Sequence, residues 1–334
     1  HLGPGDTLSI AIRAGDIIVA VDRPTRLSAR NILEGRIQGI HRVDGSILLY
    51  ADVGTLLMVE ITPEALETLE LREGQDVFLV SKVGGDPYAD MVRHELSDLG
   101  VNTDYVYTAE AMNTGVVVTL VNATGDNAAC HYAGANLALT AREIEQAEEA
   151  ISQADLCLIH GKLPQEAITT ALRLADIHGV RVVLNPAHPL DQRKADLPIE
   201  YFSADIVVPN LFEAANITDR ANASIRTAKL IGSDLIARGV RYAIITMGRR
   251  GCMLIDRYTA EQIPAFDIDL VDDSGCGDAF AGALGAYCAV TCTDMKNAVE
   301  FASAAAALVC TKYGSLESIP SKADIIQLLQ TQES

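Results

Sequence analysis

Val271-Asp272-Asp273-Ser274-Gly275-Cys276-Gly277-Asp278-Ala279-Phe280-Ala281-Gly282 is the stretch on which the reading of this chain turns. It leaves an apolar run, tightens through two glycines and enters residues 279–290, whose small side chains predict a buried helix. Gly275 and Gly277 have no Cβ, so backbone N–H groups there can come close to a ligand. A helix starting at this turn points free N–H groups and the positive end of its dipole at one spot, which suits a phosphoryl group. Asp278, in the first turn, would lie near enough to take a proton from an attacking hydroxyl. The same residues also suit a plain glycine turn with an aspartate capping a helix.

The stretch resembles the second signature of the PfkB/ribokinase family of carbohydrate kinases. That resemblance implies an anion hole at Gly275, Cys276 and Gly277, with Asp278 as catalytic base. Asp273 and Cys276 depart from the family pattern, which usually has Thr and Ala there.

Composition sets the outer limits. The chain has 334 residues, enough for two domains or one large one. A hydrophobic content of 49% readily supplies a core, yet no run is long enough to span a membrane. A net charge of −19 speaks against nucleic acid or an anionic membrane as partner, because phosphate contacts need clustered Lys and Arg. Seven cysteines lie scattered without metal-ligand spacing, which points to a reducing compartment, expected to be the cytoplasm. No leader is read at the start, and His1 in place of Met reads as a fragment boundary.

Residues 8–80 alternate apolar and polar side chains, with β-branched runs at Leu8-Ser-Ile-Ala-Ile12, Asp16-Ile-Ile-Val-Ala-Val21, Ile47-Leu-Leu-Tyr-Ala51 and Leu56-Leu-Met-Val-Glu-Ile61. Turns at Asp44-Gly45 and Val53-Gly54 separate them, the pattern of a small antiparallel barrel, and one short helix is expected at 63–69. Leu27-Ser28-Ala29-Arg30-Asn31, Ile61-Thr62, Leu71-Arg-Glu-Gly74-Gln-Asp-Val77 and Lys82 together resemble a Mop/TOBE domain. That resemblance implies an OB-like barrel that binds molybdate or a similar oxyanion through Ser28, Arg30, Asn31 and Lys82. Hydroxyl, guanidinium and amide donors suit a tetrahedral oxyanion. In that family the sites often lie between paired domains, which implies a homo-oligomer.

From residue 77 the pattern changes to α/β. A β run at 77–80 leads to an amphipathic helix at 86–99, and Ser81-Lys-Val-Gly84-Gly85-Asp86-Pro87 resembles the kinase family's Gly-x-Val-Gly-x-Asp block. The run from Thr114 to Val121, with Gly125-Asp126-Asn127 and Gly134-Ala135-Asn136, reads as a hairpin and return. Strands at 156–159, 180–184, 206–208 and 242–246 then alternate with helices at 165–179 and 222–239, which calls for a parallel sheet covered on both faces. An alanine-rich helix at 298–310 is expected to pack on the motif helix.

The resemblance extends to the nucleotide side and implies ATP and Mg²⁺. Asn185 follows a strand, and Asn210-Leu211-Phe212-Glu213 resembles the Asn-x-x-Glu motif that organises Mg²⁺ and phosphate through water. A Glu beside an anion hole is useful when a cation bridges it to phosphate. Thr246-Met247-Gly248-Arg249-Arg250-Gly251 matches the glycine turn under the nucleotide, or else is a simple hairpin. Asp272, Ser274, Gly314 and Ser318 match positions that hold K⁺ in ribokinases. No Walker A motif occurs, which excludes a P-loop ATPase.

On the acceptor side, Gly134 and Asn136 match the family's Gly-Ala-Asn. No Asn-x-Asp strand or Gly-Gly-x-x-x-Asn precedes residue 82, and Lys162 stands where ribokinases have a Glu that reaches the sugar. The expected architecture is therefore a Mop/TOBE barrel at 1–80 and an N-terminally truncated, three-layer α/β/α ribokinase-like domain at 81–334. The expected activity is ATP-dependent phosphorylation of a sugar or nucleoside hydroxyl, a small-molecule partner. A non-catalytic oxyanion- or nucleotide-binding module is the alternative.

Overall fold

The computed structural model describes residues 36–43, 46–52 and 56–61 by their backbone, and residues 77–332 apart from 122–126, 188–196, 221–222, 291–293 and 315. The chain divides into two compact units, His1–Val77 and Phe78–Ser334. In the first, β1 (Arg36–Val43), β2 (Ser46–Asp52) and β3 (Leu56–Ile61) form an antiparallel meander. Val43 pairs with Ser46 across Asp44-Gly45, where the turn was expected. β1 was not expected as a strand. Ile37 and Ile40 lie three apart, out of phase for a two-residue period, and a bulge between Ile37 and Gly39 absorbs the odd residue. The expected strands at 8–12 and 16–21, the helix at 63–69, and Ser28, Arg30 and Asn31 lie outside the described residues.

The second unit opens with β4 (Ser81–Gly84), α1 (Pro87–Asp98) and β5 (Val106–Ala109), and β4 and β5 pair in parallel. Asp86 caps α1 by accepting from Ala89 N at 3.2 Å and ties in Thr114, whose N–H and hydroxyl both reach it at 2.7 Å. The Thr114 hydroxyl, then the backbone donors, hold the Asp86 carboxyl below its ordinary range. The hairpin β6 (Val116–Val121) and β7 (Asn127–Tyr132) follows, then α2 (Ala141–Gln146) and α3 (Glu148–Gln153).

The main sheet takes β8 (Leu156–His160), β9 (Arg181–Asn185), β10 (Ile206–Val207), β11 (Tyr242–Thr246), β12 (Cys252–Ile255) and β13 (Ala260–Ile263) in that order. β8 to β11, the four strands expected from the sequence, run parallel as expected, and β12 and β13, which were not expected, extend the sheet antiparallel. The physical reason is the turn 247–251, too short for a crossover, so β12 must return alongside β11.

Alternating strand residues divide between two cores. Val182, Leu184, Ala243 and Ile245 face α4 (Gln165–His178), α5 (Leu211–Ile217) and α6 (Ile225–Ala237), with Ile168, Leu172, Ala214, Ile231 and Leu235. Val183 and Ile244 face α7 (Cys276–Val290) and α8 (Met295–Val309), with Phe280, Leu284, Val299 and Ala302. The helix α9 (Lys322–Gln332) packs against α8.

The direction of α7 positions the site. Arg181, at the amino end of β9, donates to the carbonyl of Cys288 at 2.7 Å, and Leu156 and Leu158 lie beside Gly285. The helix therefore runs against the parallel strands, and its N-terminus reaches their carboxyl edge.

Lys82, expected among the oxyanion ligands, instead directs Nζ to Glu143 at 2.6 Å and to the Ala138 carbonyl at 2.9 Å. Both side chains are largely covered, at 11% and 17% exposure. Burial alone would raise the Glu143 carboxyl, but bonds from Lys82 and Thr140 outweigh it and hold it below the usual range. Lys82→Met should therefore cost about 3 kcal/mol at pH 7 by stranding a covered carboxylate. The sign follows from the lowered carboxyl: the pair stabilises above the unfolded-state pKa of Glu and loses its effect as pH falls through the folded one. Urea unfolding of both proteins at pH 7 and pH 4 should show the gap between them narrowing on acidification. A gap independent of pH would refute the pairing.

Candidate active site

The carboxyl edge of the parallel strands gathers three of the residues singled out in the sequence, Asn185, Asn210 and Thr246. His160 and Asn185 are register partners at the ends of β8 and β9, and Gly161 N donates to the Asn185 carbonyl at 2.7 Å. Asn210 bridges to Thr246, whose N–H donates to the Pro209 carbonyl at 3.0 Å. In parallel sheets this edge, where strands give way to loops and helix N-termini, is where ligands bind.

The turn entering α7 provides open donors. Gly275 has φ +78°, a left-handed conformation that favours glycine. Its carbonyl accepts from Ala279 N at 2.9 Å, while Cys276 N reaches Asp273 O at 3.4 Å. The N–H group of Asp278 has no hydrogen-bond partner among the described residues. A Cβ placed on Gly277 would meet nothing within 4 Å, so the space in front of the helix is open. Asp278 is exposed and projects from the first turn.

Sequence reading missed His160, two residues before Lys162. Burial lowers the imidazole's pKa, the nearby Asp278 carboxylate raises it and Lys162 lowers it, with a net downward shift. Its Nδ1 accepts from Lys162 N at 3.3 Å. A largely buried imidazole thus stands within electrostatic reach of Asp278. The signal available in sequence was its place at the end of a strand expected to reach the carboxyl edge.

Asn210 and Glu213 form a reciprocal capping box at the start of α5. Asn210 Oδ1 accepts from Phe212 N at 3.0 Å and Glu213 N at 2.9 Å, and Glu213 Oε2 accepts from Asn210 N at 2.8 Å. The other Glu213 oxygen has no hydrogen-bond partner among the described residues. The segment Thr246–Gly251 is a hairpin turn at the end of β11. Met247 N donates to Gly251 O at 2.8 Å, and Gly251 has φ +77° with no room for a Cβ against the Ile263 carbonyl.

Asp272, Ser274, Gly314 and Ser318 come together. Asp272 accepts from Ser274 N at 2.9 Å and Gly314 N at 3.1 Å, and the fully buried Ser318 donates to Gly314 O at 2.8 Å. The Ser274 bonds, then Gly314, hold the Asp272 carboxyl below its ordinary value. Gly134 and Asn136 lie elsewhere, on a 3₁₀ turn Gly134–Ala138 beside β4 and β5, where the Asn136 amide fills the space over Gly115. No hydrogen bond between described residues links that turn to α7. The described residues hold no group of three or more His, Cys, Asp or Glu placed to bind a metal.

A layered α/β/α domain with an anion-ready helix terminus at its carboxyl edge is the build of a nucleotide- or phosphate-handling protein. The sequence model of the pfkB family carbohydrate kinases matches residues 71–322, and the chain belongs to that family. A TOBE domain is matched at 27–83. A ribokinase of Staphylococcus aureus (strain COL) is 28% identical over 303 residues, covering 84% of this chain and 98% of that protein. The fold is shared with Arabidopsis thaliana ribokinase complexed with ribose and ATP, at a TM-score of 0.68 and 21% identity, covering 84% of this chain and 90% of that one. It is also shared with an E. coli structure in complex with ATP and Mg²⁺, at TM-score 0.66 and 20% identity, covering 77% and 84%. The domain is thus ribokinase-like.

The capping box yields a separable test. Glu213→Gln keeps an oxygen for the Asn210 N–H and should leave stability within about 0.5 kcal/mol, whereas Asn210→Ala should cost about 1 kcal/mol. Denaturant midpoints of the two variants check this, and equal losses would mean that the box contributes nothing to α5.

Proposed function

We propose that the chain is an ATP-dependent phosphotransferase acting on a hydroxyl of a sugar or nucleoside. One observation carries the reading: α7 brings its N-terminus, with the open N–H group of Asp278, to the carboxyl edge of β8 and β9, with the Asp278 carboxylate beside it. Family membership supports it, as do the fold neighbours that carry ATP. Gly275, Cys276 and Gly277 would present backbone donors to the transferring phosphoryl group, and Asp278 would take the proton of the attacking hydroxyl. Asn185, Thr246, Gly248 and Gly251 would lie along the nucleotide. Asn210 and Glu213 would hold Mg²⁺ through water, and the uncommitted Glu213 oxygen fits that role. Mg²⁺ would supply charge neutralisation between phosphates. The oxygen-only set of Asp272, Ser274, Gly314 and Ser318 suits a hard monovalent cation, taken as K⁺. The non-catalytic alternative has no observation of its own in this unit.

Two finer points belong to the same reading. We place the domains at 1–80 and 81–334 and take Ser28, Arg30 and Asn31, with the TOBE match around them, as a molybdate-type oxyanion site in a self-associating barrel. We also read the kinase unit as lacking its family's first strand and Gly-Gly segment. β8 ends the main sheet among the described strands, Leu158 on it is 45% exposed, and the TOBE match occupies the place upstream. The S. aureus alignment, spanning 98% of that ribokinase, weighs on the other side. Lys162, in place of an acceptor-binding carboxylate, favours a loosely held ribose. No helix among the described residues is long and apolar enough to cross a membrane.

Asp278→Asn is expected to leave ATP affinity within a few-fold and to lower turnover by about 10²–10⁴, the usual range for a general base. Steady-state kinetics with a sugar and nucleoside panel would check this, and a mutant that keeps most of the wild-type rate would reduce Asp278 to a cap.

For ribose itself the expected outcome is measurable ATP binding with weak or no phosphorylation. A poorly held hydroxyl forfeits proximity worth about 7–11 kcal/mol when fully exploited. Rapid ribose turnover would overturn the truncated acceptor site.

A further inference from the structure

Among the described residues, four Lys or Arg are half-buried: Lys82, Arg93, Lys162 and Arg181. Three of them are satisfied within the protein. Lys82 meets Glu143, Arg93 donates to the Val106 carbonyl and to the Thr108 hydroxyl, and Arg181 donates to the Cys288 carbonyl. The Lys162 ammonium is the exception, with no hydrogen bond or ion pair among the described residues. An ammonium drawn partly out of water is costly unless an anion stands beside it. A second open donor lies next to it. His160 Nδ1 accepts from Lys162 N at 3.3 Å, which places the neutral ring's proton on Nε2, and Nε2–H has no partner among the described residues.

The fold holds both donors at the reaction site. Leu156, Leu158 and His160 share one face of β8, and the two leucines lie beside Gly285 of α7. Asp278 stands two turns before Gly285 on the same side of α7, so His160 lies on the strand face beneath it. The charges of Asp278 and Lys162 both reach the imidazole. Gly161 fastens the loop between the two donors, because its N–H is bound to the Asn185 carbonyl and the Pro186 carbonyl leaves no room for a Cβ.

We propose that the acceptor carries an anionic group, a carboxylate or a phosphate, which sits on the Lys162 ammonium and the His160 Nε2–H while the reacting hydroxyl faces Asp278. The inference rests on the phosphotransferase reading above and names the substrate class of that site. The two side chains offer donors only, so an oxyanion accepts from both, whereas a neutral sugar leaves the ammonium without a counter-charge. A site built around a charged group rejects the analogue that lacks it, because its own polar groups are then left unpaired. The transfer itself is unaltered: the hydroxyl oxygen bonds to the γ-phosphorus, ADP leaves with the bridging oxygen, and the proton goes to Asp278.

Calorimetry on the whole chain with D-ribose, D-ribonate and D-ribose 5-phosphate as probes separates the two sources of charge and needs no turnover. At least one of the two anions should bind about 10-fold more tightly than ribose, or better. Lys162→Met should weaken that anion by about 10–100-fold, the worth of one charge-assisted hydrogen bond, and leave ATP·Mg affinity within about 3-fold. His160→Gln, which keeps a side-chain N–H, should weaken the anion less than His160→Leu does. Binding of none of the three probes, equal binding of all three, or an anion preference that survives Lys162→Met would overturn the proposal. So would a loss confined to ATP·Mg, since the ammonium would then serve the nucleotide. The phosphotransferase reading is judged apart, by release of ADP: an anion that binds at Lys162 and is never phosphorylated defeats that reading and leaves the anion site standing.

Discussion

The direction of α7 is the constraint on which the site depends. A helix offers free N–H groups at one end only, so anion chemistry at the carboxyl edge requires α7 to run against β8 and β9. Arg181 helps to set that direction by holding the Cys288 carbonyl at the opposite edge of the sheet. Small residues do the rest. Gly285 lets Leu156 and Leu158 press close, and Phe280, Leu284 and Cys288 fill the face toward the strands. The turn 271–276 is in turn anchored to the end of α8 through Cys310, so the anion-facing donors are braced from two elements.

Much of this was legible in the sequence because each signal was local. The glycines at 275 and 277, the helix α4 closed by Gly179 at φ +67°, and the strand Tyr242–Thr246 stand where their patterns place them. What escaped was of a different kind. β1 escaped because its bulge breaks the two-residue period. The short helix α2 rests on a Thr140–Glu143 capping box more than on an apolar stripe, and the reversal at β12 follows from turn length, not from strand composition. His160 beside Asp278 could not be read from spacing, since 118 positions separate two residues that only the sheet brings together.

Side-chain identity also concealed alternative duties. Lys82 looks like an anion ligand when its neighbours are read as a β-barrel, yet the fold commits it to Glu143. Residues 71–83 fall within both family matches, and the side chain of Lys82 follows the α/β assignment. Asn210 and Glu213 show the converse, because a motif associated with a cation is at the same time an ordinary helix start.

That double use has an entropic consequence. A carboxylate on a free loop must be immobilised when a cation arrives, and the lost rotamer freedom subtracts from affinity. Glu213 is already fixed by the Asn210 N–H, so its second oxygen is presented in one orientation whether or not a ligand is near. Helix capping thus serves as preorganisation, and a cation held through water at this carboxylate would be bound without a folding step of the protein around it.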